Sequence, residues 1–136
     1  MDGEKLRTMN VLLIDDDESI RIAMEYYFKK KTRSFFTLED AETALSLIEK
    51  EALDIIICDY KLPGMNGIDF FKMVDSDVIK ILITAYAGLE VASEAGRVGV
   101  HDFIQKPFTT KVIKDSLGRL IEERRPFRIS ENGKIK

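Results

Sequence analysis

The chain has 136 residues, a length that suits one domain with one core. Its formal charge of −3 argues against a general nucleic-acid binder, and its longest apolar runs fall far short of a membrane span. The stretch Met1 to Asn10 lacks the apolar middle of a signal peptide, and the single cysteine, Cys58, cannot form an intrachain disulfide, so the composition predicts a soluble, cytoplasmic protein.

In chain order, residues 9–14 read as a buried strand whose run Val11-Leu12-Leu13-Ile14 ends in Asp15-Asp16-Asp17. Residues 18–30 place Ile20, Ala23, Met24, Tyr27 and Phe28 on one face of a helix, with Asp17 or Ser19 as its cap. The basic stretch Lys29-Lys30-Lys31 falls at that helix's C-terminus, where cations are favoured, and reads as a solvated end. A short strand near Ser34 to Leu38 precedes a helix from Ala41 to Lys50, with Ala41, Ala44, Leu45 and Ile48 on one face. The run Asp54-Ile55-Ile56-Ile57-Cys58-Asp59 is a buried strand that delivers a carboxylate to its C-terminal edge, and Cys58 within it reads as a small hydrophobe.

After the turn Tyr60-Lys61-Leu62-Pro63-Gly64-Met65-Asn66-Gly67, a short helix carries Ile68, Phe71 and Val74, and the brevity of the segment up to Val78 predicts that it is clipped. Val78 to Thr84 is another apolar strand. A weak, glycine-punctuated helix covers Leu89 to Val98, and Asp102-Phe103-Ile104-Gln105 is the last strand. His101, beside that strand's start, reads as structural. A final helix from Thr109 to Arg124 carries Val112, Ile113, Leu117, Leu120 and Ile121, and Pro126 ends it. Residues 1–8 read as an N-terminal extension, and 125–136 as a polar tail or the start of a linker to another domain.

Five strands alternating with five helices require a parallel sheet covered on both faces, a doubly wound α/β fold. Right-handed crossovers leave few strand orders. Ligands of such sheets bind beyond the carboxyl ends of the strands. Asp15, Asp16, Asp59, Thr84 and Lys106 all fall at or just past those ends, so they are expected to meet on one edge.

Carboxylates gathered in one crevice are costly unless a cation, a proton or a phosphoryl acceptor role explains them. An oxygen-rich pocket suits Mg²⁺, which takes one or two carboxylates, keeps several waters and completes its shell with phosphate oxygens. A carboxylate can also attack phosphorus to form an aspartyl phosphate, a transfer that needs little beyond alignment and charge neutralisation. Lys106 offers a cation, Thr84 a hydroxyl donor, and the small Ala85 leaves the approach open. Taken singly, each residue has a plainer explanation: Asp17 as a helix cap, Asp59 as a turn former, Thr84 as a strand-end residue, Lys106 as a solvated cation. Their joint position at one edge outweighs these.

These segments together resemble the receiver domain of two-component response regulators, over residues 9–124. The resemblance rests on the strand ending Asp15-Asp16-Asp17, on Asp59 with Leu62-Pro63-Gly64-Met65-Asn66-Gly67, on Ile83-Thr84-Ala85 and on Lys106-Pro107-Phe108, in the family's order. It implies a single flavodoxin-like domain with strand order 2-1-3-4-5. It implies Asp59 as phosphoacceptor and a Mg²⁺ pocket of Asp15, Asp16, Asp59 and the Lys61 backbone carbonyl, with Asp16 the more direct ligand and Asp15 acting largely through water. It assigns Thr84, Ala85 and Lys106 to the phosphoryl group, and Thr84 and Phe103 to the switch. It further implies a histidine kinase or phosphotransfer protein as donor and an effector domain or protein as target of the fourth helix, fifth strand and fifth helix. Pairing into a homodimer through that face also follows from it, as does phosphotransfer confined to the domain itself, with no metabolite turned over and no direct nucleic-acid binding.

Lys61 is cationic beside the acids, and Tyr86 lies two residues after Thr84, so both are expected to shade an aspartyl phosphate from water. Three rivals fit less well. A phosphatase with an aspartyl nucleophile opens an Asp-x-Asp pattern, and Asp59-Tyr60-Lys61 lacks the second acid. A flavin module of this topology needs phosphate-binding amides after the first strand, where this chain is acidic. An unphosphorylated receiver-like scaffold has no need of the intact set of acids, Thr84 and Lys106.

Overall fold

The apolar runs at 11–14, 55–58 and 79–83 are buried on both sides, as parallel strands covered by helices must be. The structure, a computed structural model, describes residues 2–86 and 88–123. Strands β1 (Asn10–Ile14), β2 (Ser34–Leu38), β3 (Ile55–Asp59), β4 (Ile79–Thr84) and β5 (Asp102–Gln105) form one parallel sheet in the order β2-β1-β3-β4-β5. The chain runs outward to β2 from β1, then returns past β1 to begin the other half at β3. The strand order therefore reverses between β1 and β3, whose carboxyl ends carry Asp15 and Asp59.

The helices are α1 (Asp2–Leu6), α2 (Glu18–Phe28), α3 (Ala41–Lys50), α4 (Gly67–Phe71), α5 (Leu89–Arg97) and α6 (Thr110–Glu123). Strand side chains alternate between the two faces of a sheet, and the core divides accordingly. Leu12, Ile14, Ile56, Cys58 and Leu82 pack with Ala41, Ala44, Ile68, Phe70, Phe71, Ala92 and Ala95 of α3, α4 and α5. Val11, Leu13, Ile55, Ile57, Ile79, Ile81 and Ile83 pack on the other face with Met24 and Phe28 of α2 and Ile113, Leu117 and Leu120 of α6.

Helix starts follow local chemistry. Asp17 caps α2 by accepting from the Ser19 N–H at 2.9 Å, Asp40 caps α3 through the Thr43 N–H at 2.7 Å, and Asn66 caps α4 through the Asp69 N–H at 2.9 Å. The clipped third helix of the sequence reading is α4, five residues long. Cys58 is fully buried, and burial, followed by the charges of Asp59 and Asp15, pushes its thiol well above the ordinary value. His101 extends the β4–β5 pairing: its Nδ1 accepts from the Lys80 N–H at 3.0 Å and its own N–H donates to the Lys80 carbonyl at 2.7 Å. The expected polar tail, 125–136, lies outside the described residues. Among these, no helix is long and apolar enough to cross a membrane.

The helix count differs from the sequence reading. The segment read as an N-terminal extension contains α1, which packs against α6, so the described residues hold six helices rather than five. The sequence hid it because α1 has no amphipathic stripe. Among the described residues of this segment Leu6, 7 % exposed, enters the core beside the α2 and α6 residues, and tertiary burial holds the short helix. Leu6→Ala is therefore expected to destabilise the domain by about 2 kcal/mol, read as a lower urea midpoint at unchanged slope.

Candidate functional site

Alternation along the strands decides which side chains meet. The Asp15 N–H donates to the Leu38 carbonyl at 3.0 Å, and the Lys106 N–H to the Thr84 carbonyl at 2.8 Å, so both residues prolong their strands by one step. Asp15 follows Val11 and Leu13, Asp59 follows Ile55 and Ile57, and Lys106 follows Ile104, all on the face covered by α2 and α6. The three side chains consequently converge. The Lys106 Nζ donates to Asp59 Oδ2 at 2.9 Å and lies 3.0 Å from Asp15 Oδ2.

Asp15 is fully buried, and its two oxygens differ. Oδ1 accepts from the Asp17 N–H at 2.9 Å. Oδ2 accepts no hydrogen bond: the Lys106 ammonium is close enough for an ion pair but not aligned for a hydrogen bond. Asp16 is exposed, yet it offers an oxygen within 4.8 Å of the oxygens of Asp15 and Asp59. A buried carboxylate oxygen held by an ion pair but by no aligned hydrogen bond, in an all-oxygen trio, is what a hard divalent cation would complete, so these residues fit Mg²⁺.

A pocket of about 410 Å³ opens above the trio, lined by Asp16, Asp59, Lys61, Leu62, Pro63, Ala85, Tyr86 and Lys106. Lys61 and Tyr86 face each other across it, with Nζ 3.3 Å from Oη and 5.2 Å from the ring centre. A larger pocket of about 560 Å³, on the α2 side of Lys106, is lined mainly by apolar side chains such as Ile20, Met24 and Phe108. It contains Asp17 but none of the acidic trio, so it is not the cation site.

Thr84 and Phe103 belong to the other face. Thr84 follows Lys80 and Leu82, and the register pairs Leu82 with Phe103 and Thr84 with Gln105, so Phe103 and Thr84 are diagonal neighbours on the side of α3, α4 and α5. Thr84 is fully buried, and its Oγ1 accepts from the Tyr86 N–H at 2.8 Å instead of facing the pocket. Phe103, 7 % exposed, packs inward with Leu82, Ala92, Ala95 and Val100. Of the residues anticipated from sequence, Asp16, Asp59, Lys61, Ala85 and Lys106 are thus assembled around the opening with Asp15 buried against Lys106, whereas Thr84 and Phe103 belong to the other face.

The residues 11–118 match the response regulator receiver domain family. The chain belongs to that family. This receiver domain is 31% identical over 114 residues to sporulation initiation phosphotransferase F of Bacillus subtilis (strain 168), covering 82% of this chain and 92% of that protein. It is 33% identical over 118 residues to the C4-dicarboxylate transport transcriptional regulatory protein DctD of Pseudomonas aeruginosa, covering 85% of this chain but 26% of DctD, so what the rest of DctD does is not carried over. Among solved structures, the chemotaxis response regulator CheY4 of Vibrio cholerae matches with a TM-score of 0.70 at 27% identity, over 85% of this chain and 97% of that one.

Gly67, part of the turn motif, has no role of its own in the sequence reading. A Cβ there would stand 2.4 Å from the Asp59 backbone carbonyl, and the Gly67 N–H donates to the Tyr60 carbonyl at 2.8 Å. The receiver domain thereby folds the start of α4 directly onto the residue that ends β3. The Asn-Gly pair ahead of Ile68 was the available signal.

Burial pushes the Asp59 carboxyl up from 3.8 to about 6; the Lys106 hydrogen bond pulls it down, and the Asp15 charge raises it again. Burial alone would lower the Lys106 ammonium, but its contacts with Asp59 and Asp15 hold it above the ordinary value. The raised Asp59 carboxyl means that the folded state binds a proton more readily than the unfolded chain between pH 3.8 and about 6, so its contribution weakens stability as pH rises through that window. In metal-free buffer, Asp59→Asn is expected to be more stable than wild type above pH 6, by about 1–2 kcal/mol once solvent screening is allowed for. The difference should vanish near pH 4, as urea unfolding of both proteins across that range would register.

Proposed function

We propose that Asp59 accepts a phosphoryl group from a histidine kinase or phosphotransfer protein, with Mg²⁺ held by Asp15, Asp16, Asp59 and the Lys61 backbone carbonyl. The observation that carries this reading is the buried Asp15 Oδ2 beside Asp59, without an aligned hydrogen bond, in an acidic trio whose Asp15 and Asp59 are reached by one lysine. When bound, Mg²⁺ would supply positive charge that offsets the carboxylates and the phosphoryl oxygens. The protein's own groups do the rest. An Asp59 oxygen attacks phosphorus; the new P–O bond forms as the donor's N–P bond breaks, and the imidazole leaves with the electron pair. Lys106 turns from the Asp59 carboxylate to the phosphoryl oxygens, and the short side chain of Ala85 keeps the approach clear.

Thr84 then gives up the Tyr86 N–H and donates its hydroxyl to the phosphoryl group. Phe103, its diagonal neighbour, repacks in turn, and the surface of α5, β5 and α6 changes its affinity for an effector domain or protein. The same face pairs two copies in a homodimer. The domain promotes its own phosphorylation and dephosphorylation and turns over no separate metabolite, and it works in the cytoplasm.

Two measurements test the reading. Incubation with acetyl phosphate and Mg²⁺ is expected to add one phosphoryl group by intact-mass analysis; Asp59→Asn or a chelator abolishes the gain, and a wild type that stays unmodified overturns the proposal. The Lys61–Tyr86 pair across the pocket should slow hydrolysis of the aspartyl phosphate. Lys61→Ala and Tyr86→Ala are each expected to shorten its lifetime by about two- to fivefold, the scale of one exposed cation–π contact.

A further inference from the structure

The loop between β3 and α4 carries the Lys61 carbonyl, yet little holds it. Tyr60 is tied to the sheet by its N–H to the Ile83 carbonyl at 2.8 Å, and the far end is fixed by the Gly67 N–H on Tyr60 and by the Asn66 cap. Between these anchors, the backbone of 61–65 makes one hydrogen bond among the described residues: the Met65 N–H donates to Glu42 Oε2 at 2.8 Å. Glu42 comes from the first turn of α3, a helix set firmly in place by the Asp40 cap and by the fully buried Ala41 and Ala44. The loop is shaped to admit this carboxylate. Gly64 has φ +78°, and a Cβ there would stand 2.6 Å from Glu42 Oε2.

We propose that Glu42 is a positioning residue for the cation and phosphoryl site: by holding Met65 it sets the height of the loop, and hence of the Lys61 carbonyl, over the acidic trio. The inference rests on the reading of that site as a Mg²⁺ and phosphoryl centre. Glu42 is exposed and touches none of the reacting groups, so it acts only through the loop. The interaction needs an acceptor oxygen, not a charge, which separates it from long-range electrostatics.

The test compares wild type with Glu42→Ala and Glu42→Gln. In the metal-free protein, Glu42→Ala is expected to speed hydrogen exchange at the Met65 amide. It should also weaken Mg²⁺ binding in isothermal titration calorimetry by about fivefold, the scale of one hydrogen bond. Phosphorylation by acetyl phosphate should slow at limiting Mg²⁺ and recover at saturation. Glu42→Gln keeps an acceptor for Met65 and should restore all three readouts. An alanine variant that binds Mg²⁺ as tightly as wild type overturns the proposal, whatever its thermal stability. A glutamine variant as weak as alanine overturns it too, since charge would then be the agent. A wild type that binds no Mg²⁺ overturns the underlying reading of the site and this inference with it, a result distinct from the other two.

Discussion

The mutual repulsion of Asp15, Asp16 and Asp59, restrained by a single ammonium, is the constraint around which this molecule is built. Three acids with oxygens within 4.8 Å of one another are unfavourable in a site that burial has partly stripped of water. Lys106 offsets part of that repulsion by reaching two of the carboxylates at once, while burial, more than the charge of Asp15, keeps the Asp59 carboxyl above its ordinary value. The strain is held by the two apolar layers below, which fix β1, β3 and β5 and so fix where the three side chains emerge. The proposed cation and phosphoryl site is therefore in place before anything binds, at the cost of local stability.

Because successive side chains alternate, the sheet separates two tasks. The acids and Lys106 share the face of α2 and α6, where the chemistry is proposed to occur. Thr84 and Phe103 share the face of α3, α4 and α5, where a change in packing reaches the outer helices. The C-terminal end of β4 is where the two meet: Ala85 lines the opening while Thr84, one residue earlier, is sealed beneath it. In the proposed switch, this pair of adjacent residues is where the two faces adjoin.

Much of this was legible in the residues themselves. Unbroken runs such as Ile55-Ile56-Ile57-Cys58 announce a strand buried on both sides, and the alternation with helical periods leads to a doubly wound sheet. Acids and a lysine at the ends of those runs then have to share one edge. The side of the sheet to which Thr84 points was equally available from its odd–even position, although a list of motif residues does not distinguish it from Asp59. Tertiary effects were less visible. Leu6 is one apolar residue among charges, and nothing local marks it for burial against α6. Gly67 and Glu42 act through close approaches between segments distant in sequence or folded back on each other, which periodicity does not encode.

The seating of α1 on α6 makes the first few residues mechanical neighbours of the helix that is proposed to greet effectors. A fusion tag, a proteolytic nick or a bound chaperone that lifts α1 would loosen the wall on which it leans. Helix α1 would thus be a handle on the proposed output side of the molecule, set apart from the acidic pocket.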